Sequence, residues 1–233
     1  MAGSAETGTA PRGVAGSWHD AAMTSNSPQP EEIPAGPPDA PPGAVPAVVP
    51  AGRMARSEQP VLALSAGRAL RPWRHGDADV LVTASQDPAI RQWNRLLVAT
   101  AEDARRRIDG MHRRWASEAS AIWAIARPDG EADGLIGWGD IDLAGGSAEI
   151  LYWVLPTARG GGVVAEAARR VSRWALDDLG LHRLRLCHSV ANPASCRVAA
   201  KAGFSYEGTM RSALLHADGW HDEHLHAVVQ GDF

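Results

Sequence analysis

Glu149-Ile-Leu-Tyr-Trp-Val-Leu-Pro-Thr-Ala-Arg159-Gly-Gly-Gly-Val-Val164 joins an apolar run, a proline stop, three glycines and the start of an amphipathic segment. The β-branched and aromatic side chains of 149–155 predict a strand, which Pro156 ends by removing a backbone donor. From Val163 to Leu179 the spacing becomes helical. Val164, Ala168, Val171 and Ala175 share one face, Arg169, Arg170 and Arg173 lie away from it, and Gly180 closes the helix. Leu184-Arg-Leu-Cys-His is a strand again. A strand–helix–strand of this length implies a right-handed parallel crossover.

On either side of this unit the pattern is antiparallel. Downstream, Ala194–Ala202 reads as a short helix closed by Gly203, and 204–216 with 221–229 as a hairpin around Ala217-Asp-Gly-Trp. Upstream, Ala121–Arg127, Leu135–Asp142 and Glu149–Leu155 form a three-strand meander. Thr100-Ala-Glu-Asp resembles a capping box and opens a helix with Ala104, Ile108, Met111 and Trp115 as its apolar stripe. Asp77–Ser85 predicts a shorter helix, and Arg68–Trp73 an edge strand that tolerates Pro72. The expected fold class is α+β: a mixed, mostly antiparallel sheet of six to seven strands with flanking helices. Its one parallel junction joins the fourth strand (149–155) to the fifth (183–188).

Composition divides the chain. Eleven of the 16 prolines lie in residues 1–60, whereas eight of the nine tryptophans follow residue 70. A proline-dense, apolar-poor segment cannot offset the entropy of ordering it. Residues 1–60 are therefore expected to be a disordered Pro/Ala/Gly-rich tail, either a docking segment or an extension preceding a start at Met54, and 61–233 the folded domain. The net charge of −4 gives no electrostatic footprint for nucleic acid. No apolar run reaches the roughly 20 residues of a membrane span, and the N-terminus lacks a signal-peptide pattern. Cys187 and Cys196 have no CxxC spacing and read as reduced thiols, which places the chain in the cytoplasm.

The chemistry gathers at the parallel junction. Glycines between a strand and a helix N-terminus let an anion approach free N–H groups and the positive end of the helix dipole. A P-loop needs Gly-Lys-Ser/Thr, and this chain has Gly-Val-Val. Gly160-x-Gly162-x-x-Ala165 fits a dinucleotide fingerprint, yet the next strand ends Leu186-Cys-His-Ser-Val with no acid for a ribose. On the loop alone, an unliganded glycine turn is an equal reading.

The segment Asn192-Pro-Ala-Ser195-Cys-Arg-Val-Ala-Ala-Lys201-Ala-Gly203-Phe204, followed by Glu207-Gly208, separates these readings. With Arg159 and Gly162 of the glycine loop, Leu70-Arg-Pro near the start and Tyr152-Trp153, residues 68–230 resemble a GNAT N-acetyltransferase. The similarity is to the subgroup of ribosomal-protein N-terminal alanine and serine acetylases. Two positions depart from the pattern: Val164 stands where the loop usually has Gly or Ala, and Leu151 where many relatives carry glycine. The resemblance implies acetyl-CoA as cosubstrate and a primary amine, on a small molecule or a protein N-terminus, as acceptor. It places the pantetheine arm between the diverging fourth and fifth strands, against the backbone of Trp153, Val154 and Leu155. Arg159, Gly160, Gly161, Gly162, Val163 and Val164 would hold the pyrophosphate, Asn192 the pantetheine amides, and Ser195 would lie near the sulfur. No metal, nucleic acid or membrane partner is expected, and the chain would act as a monomer or homodimer.

Acetyl transfer needs a neutral amine, an oxyanion donor and a proton for the departing thiolate. An α-amine has a pKa near 8 and a lysine amine near 10.4, so the first needs only a modest base or water. The Val154 N–H is the candidate oxyanion donor and Ser195 the candidate acid, although a serine there also reads as a first-turn hydroxyl of a helix. Glu149 is the candidate base, with Asp140 and water as rivals. His216, His221, His224 and His226 cluster on the last hairpin, and His224 and His226 share a face; a metal would need a third ligand. Cys196 has no histidine placed by sequence to activate it and reads as helix packing. Two other classes fit the motifs: a CoA-binding module without turnover, and an interaction protein whose glycine loop binds nothing.

Overall fold

In a computed structural model of the chain, residues 44–94 and 96–233 are described. β1 (Leu62–Ala63) and β2 (Ala69–Pro72) lead into three helices, α1 (Ala78–Gln86), α2 (Pro88–Asn94) and α3 (Ala101–Ala116). The meander follows as β3 (Ala121–Ala126), β4 (Ala132–Asp142) and β5 (Ser147–Val154). Then come α4 (Val163–Arg173), continuing as a π turn over Trp174–Leu179, β6 (Arg183–Ser189), α5 (Pro193–Ala202), β7 (Ser205–His216) and β8 (Gly219–Val229). The strand order is β1-β2-β3-β4-β5-β6-β8-β7, and among the described residues only β5–β6 is parallel.

The α+β class and the parallel crossover hold, and two counts change. The sheet has eight strands among the described residues, not six or seven. The addition is β1, where Leu62 pairs with Leu70 and Ala63 with Ala69, so the parallel pair is fifth and sixth. A two-residue strand has no periodicity to read; its partner strand creates it. A third helix, α2, also stands between β2 and β3. Asp87 starts it by accepting the Ile90 N–H at 2.8 Å, with Pro88 inside the first turn. α3 begins as its sequence predicts. Asp103 N–H donates to Thr100 Oγ1 at 3.1 Å, Thr100 N–H donates to Asp103 Oδ2 at 3.1 Å, and Ala104, Ile108, Met111 and Trp115 are buried.

Alternation along β5 serves two cores. Ala148 and Ile150 pack with Val164, Ala168 and Val171 of α4, whereas Trp153 joins Trp73, Leu81, Ile108 and Met111 on the side of α1–α3. The first core also holds residues expected in the tail. Val49 and Met54 are each 1% exposed. The N–H groups of Gly52, Met54 and Ala55 donate to the Glu118 carboxylate at 2.6, 2.7 and 3.2 Å. Trp115 Nε1 donates to Ser57 O at 3.0 Å and Trp123 Nε1 to Pro60 O at 2.8 Å. Residues 48–60 are therefore part of the folded unit. The remainder of the expected tail, residues 1–43, lies outside the described residues.

Candidate active site

The parallel ladder between β5 and β6 is short. Ser147 pairs with Arg183, Ala148 with Leu184 and Glu149 with Arg185, and pairing then stops. β6 turns toward β8, with which it pairs through Ser189↔Glu223, while β5 stays on β4 through Gly134↔Val154. A gap opens between 150–154 and 186–189, edged by unpaired backbone. Leu155 N–H donates to Asp133 O at 2.8 Å, and Leu155 O accepts from Ala158 N–H at 2.9 Å. The Leu155 N–H is thus occupied and cannot donate to a pantetheine carbonyl, whereas its own carbonyl keeps a second lone pair. Alternation turns the Trp153 N–H toward β4 as well, and the Val154 N–H toward the gap. Of the three residues 153–155, Val154 is the one whose N–H can meet a carbonyl there.

One end of the gap is a helix N-terminus. The first bond of the α4 ladder is Glu166 N–H to Gly162 O at 3.2 Å, which leaves the N–H groups of Val163, Val164 and Ala165 without an intrahelical acceptor. Gly160 and Gly162 have φ of 86° and 79°, a region that costs an L side chain about 1–2 kcal/mol. A Cβ at Gly160, Gly161 or Gly162 would meet nothing within 4 Å, so the backbone faces open space into which an anion fits. Val164 is 8% exposed and packs in the α4 core. Its extra bulk therefore goes into the core and not into the loop. Arg159 Nη2 donates to Asp87 Oδ1 at 2.7 Å. Burial raises the Asp87 pKa, but the Arg159 bond and the Ile90 N–H outweigh it and hold the carboxyl below its ordinary value.

The other end is α5. Asn192 caps it, Oδ1 accepting the Ser195 N–H at 3.2 Å, and keeps its amide donors for a ligand. Ser195, 7% exposed, hydrogen-bonds through Oγ to the Tyr152 hydroxyl of β5 across the gap. Burial pushes the Tyr152 phenol up to about 12 against the pull of that bond, so it stays protonated near neutral pH. In the sequence Ser195 stands out by its motif, whereas Tyr152 appears only as part of a family likeness. The tyrosine's partner is distant in sequence, and no spacing rule links them.

The carboxylates lie on the opposite face. Arg185 Nε donates to Glu149 Oε2 at 2.7 Å and Arg185 Nη2 to Asp140 Oδ2 at 3.2 Å, so one guanidinium engages both expected bases. Glu223 of β8 carries no signal in the sequence. It is 8% exposed and forms no ion pair among the described residues. Burial first and the Glu149 charge second raise its pKa. Cys187, whose register partner is Leu225, is pushed up to about 12, chiefly by burial, and is not a thiolate nucleophile. A cavity of about 590 Å³ opens on this face, lined by Trp93, Leu96, Arg107, Met111, Leu151 and Trp153 among others. Its size suits a small organic group or a peptide end.

The four hairpin histidines separate into two groups. The His216 and His221 rings lie 4.5 Å apart, tilted at 46°, beside Trp93. His224 and His226 face the other way, where His188 of β6 and Cys196 of α5 meet them.

Residues 68–205 match the acetyltransferase (GNAT) domain family, more than half of the chain. The Bacillus subtilis (strain 168) protein YdaF, named for ribosomal N-acetylation, is 32% identical over 111 residues, 48% of this chain. The aligned part spans only 60% of YdaF. The Escherichia coli (strain K12) ribosomal-protein-serine acetyltransferase is 28% identical over 135 residues, 57% of this chain and 73% of its own. Mycobacterium smegmatis RimJ, solved in complex with CoA-disulfide, superposes with a TM-score of 0.64 at 25% identity, over 73% of this chain and 86% of that one. With a gapped parallel pair, a glycine loop at a helix N-terminus and a family match through both, the chain belongs to the GNAT acetyltransferase family.

Proposed function

We propose that this chain transfers an acetyl group from acetyl-CoA to a primary amine by direct attack in a ternary complex. The observation that carries the reading is the opening of β5 from β6 after Glu149↔Arg185, with the free N–H groups of α4 at one end and the Tyr152–Ser195 pair at the other. Acetyl-CoA supplies the activated thioester. The N–H groups of Gly160 to Val164 would hold the pyrophosphate, and Asn192 a pantetheine carbonyl. The Val154 N–H would meet the carbonyl oxygen as negative charge develops there. As the amine nitrogen bonds to the carbonyl carbon, the C–S bond breaks and sulfur leaves with its electron pair.

Two protons must move. Glu223, buried and with its pKa raised, suits the proton leaving the amine better than a carboxylate engaged by Arg185. The proton for the thiolate comes from the hydroxyl pair, where Tyr152 can refill Ser195. The acceptor enters through the cavity beside Leu151 and Trp153. Its α-amine or small-amine class follows from a site that offers one weak base and no strong one. The two thiols are free, in keeping with a reducing, cytoplasmic setting.

Thiol release from acetyl-CoA, measured with peptides bearing free Ser or Ala N-termini, Nα-blocked lysine peptides and polyamines, tests the reading. Ser195→Ala should lower kcat by roughly 10- to 10⁴-fold with little change in the Kd for acetyl-CoA. CoA binding by calorimetry with no turnover on any amine would leave a binding module in place of an enzyme.

A further inference from the structure

We propose that His188, His224, His226 and Cys196 form a binding site for a zinc-class divalent transition metal, which fastens the first turn of α5 to the β6–β8 ladder. The ligand atoms of these four residues all lie within 4.8 Å of one another, and none belongs to the acetyl-transfer groups described above. Three imidazoles and one thiol are a four-coordinate N₃S donor set.

The register explains the convergence. His188 sits opposite His224, and Leu186 opposite His226, so all three histidines project from one face of adjacent strands. α5 crosses that face and delivers Cys196 from its first turn. His188 Nε2 and His226 Nε2 are 3.2 Å apart. Two nitrogens at about 2.0–2.1 Å from a tetrahedral zinc stand about 3.3 Å apart. The separation therefore suits two ligands of one ion.

The hydrogen bonding fits the same role. His188 Nδ1 donates to Ser189 O at 2.9 Å, which fixes the tautomer and turns the Nε2 lone pair into the cluster. Among the described residues this is the one hydrogen bond from a side chain of the cluster to a group outside it. His224 Nδ1 and His226 Nδ1 are buried without any partner. His188 is 6% exposed and His226 3%, and a buried histidine pair without a charge partner or metal is a costly arrangement. Tyr206 closes the outer side, its ring 5.2 Å from His224 and 5.5 Å from His226. Coordination would form an Sγ–metal bond and release the thiol proton to solvent, with no change in oxidation state. Because Cys196 follows Ser195, the ion would hold the turn that presents Ser195 to Tyr152.

Cobalt(II) titrated into the tag-free, chelator-treated full chain is the test. One equivalent should bind with the intense visible bands of a four-coordinate ion and a thiolate-to-cobalt charge-transfer band, and zinc should displace it. Cys196→Ser should abolish the charge-transfer band and weaken binding at least about tenfold, and His226→Ala should do the same to affinity. His182→Ala, an exposed histidine elsewhere, should change neither. No uptake by the wild-type chain would overturn the site. So would binding without the charge-transfer band, or undiminished binding in Cys196→Ser.

Discussion

Gly162→Asp isolates what the glycine loop does. Gly162 is the N-cap of α4 at φ 79°, and a side chain there points into open space. An aspartate at an N-cap stabilises a helix by about 0.5–2 kcal/mol, whereas the left-handed backbone costs a non-glycine residue about 1–2 kcal/mol. These nearly cancel, so the fold should survive. The cost falls on the ligand instead. A carboxylate about 5 Å from a pyrophosphate bearing about two charges is repelled by roughly 1.7 kcal/mol at ε 80 and roughly 3.3 kcal/mol at ε 40. That range corresponds to about 20- to 300-fold in Kd. Calorimetry with CoA should show this weakening relative to Gly162→Asn, which tolerates the same backbone without the charge. The difference should shrink as salt rises. Equal Kd values for the Asp and Asn variants, with melting temperatures near wild type, would mean that the pyrophosphate does not lie on this loop.

Met54→Ala should destabilise the chain by about 2–5 kcal/mol in urea unfolding, since Met54 is 1% exposed in the main core; a near-neutral result would return residues 48–60 to the tail. Glu223→Gln should flatten the acidic limb of the kcat/KM profile, which in wild type should lie above the ordinary glutamate pKa of about 4.3. The linked stability has a definite sign. With a raised folded-state pKa, the stability contributed by protonated Glu223 is complete below the unfolded pKa and is lost as pH rises through the folded one, so Gln should stabilise more at pH 8 than at pH 4. An unchanged acidic limb would shift the base role back to Glu149 or water.

The chain itself settled whatever depends on neighbours in sequence. The strand–glycine–helix junction at 149–179, the Thr100 cap and the hairpin after Gly203 are governed by local backbone chemistry and periodicity, and each lies where its residues predict. Long-range packing decided the rest. β1 exists because Leu62 finds Leu70, and Val49 and Met54 are core residues because α3 and the meander leave room for them. Tyr152 meets Ser195 only where β5 and β6 diverge, and Glu223 becomes a buried carboxylate only when β8 lies beside β6. His188 and Cys196 reach His224 and His226 from two other elements, whereas His216 and His221, closer in sequence, face away. Sequence spacing encodes the turn of a helix and the alternation of a strand. Which side chains share one low-dielectric pocket is set by the sheet order, and that is a property of the folded chain.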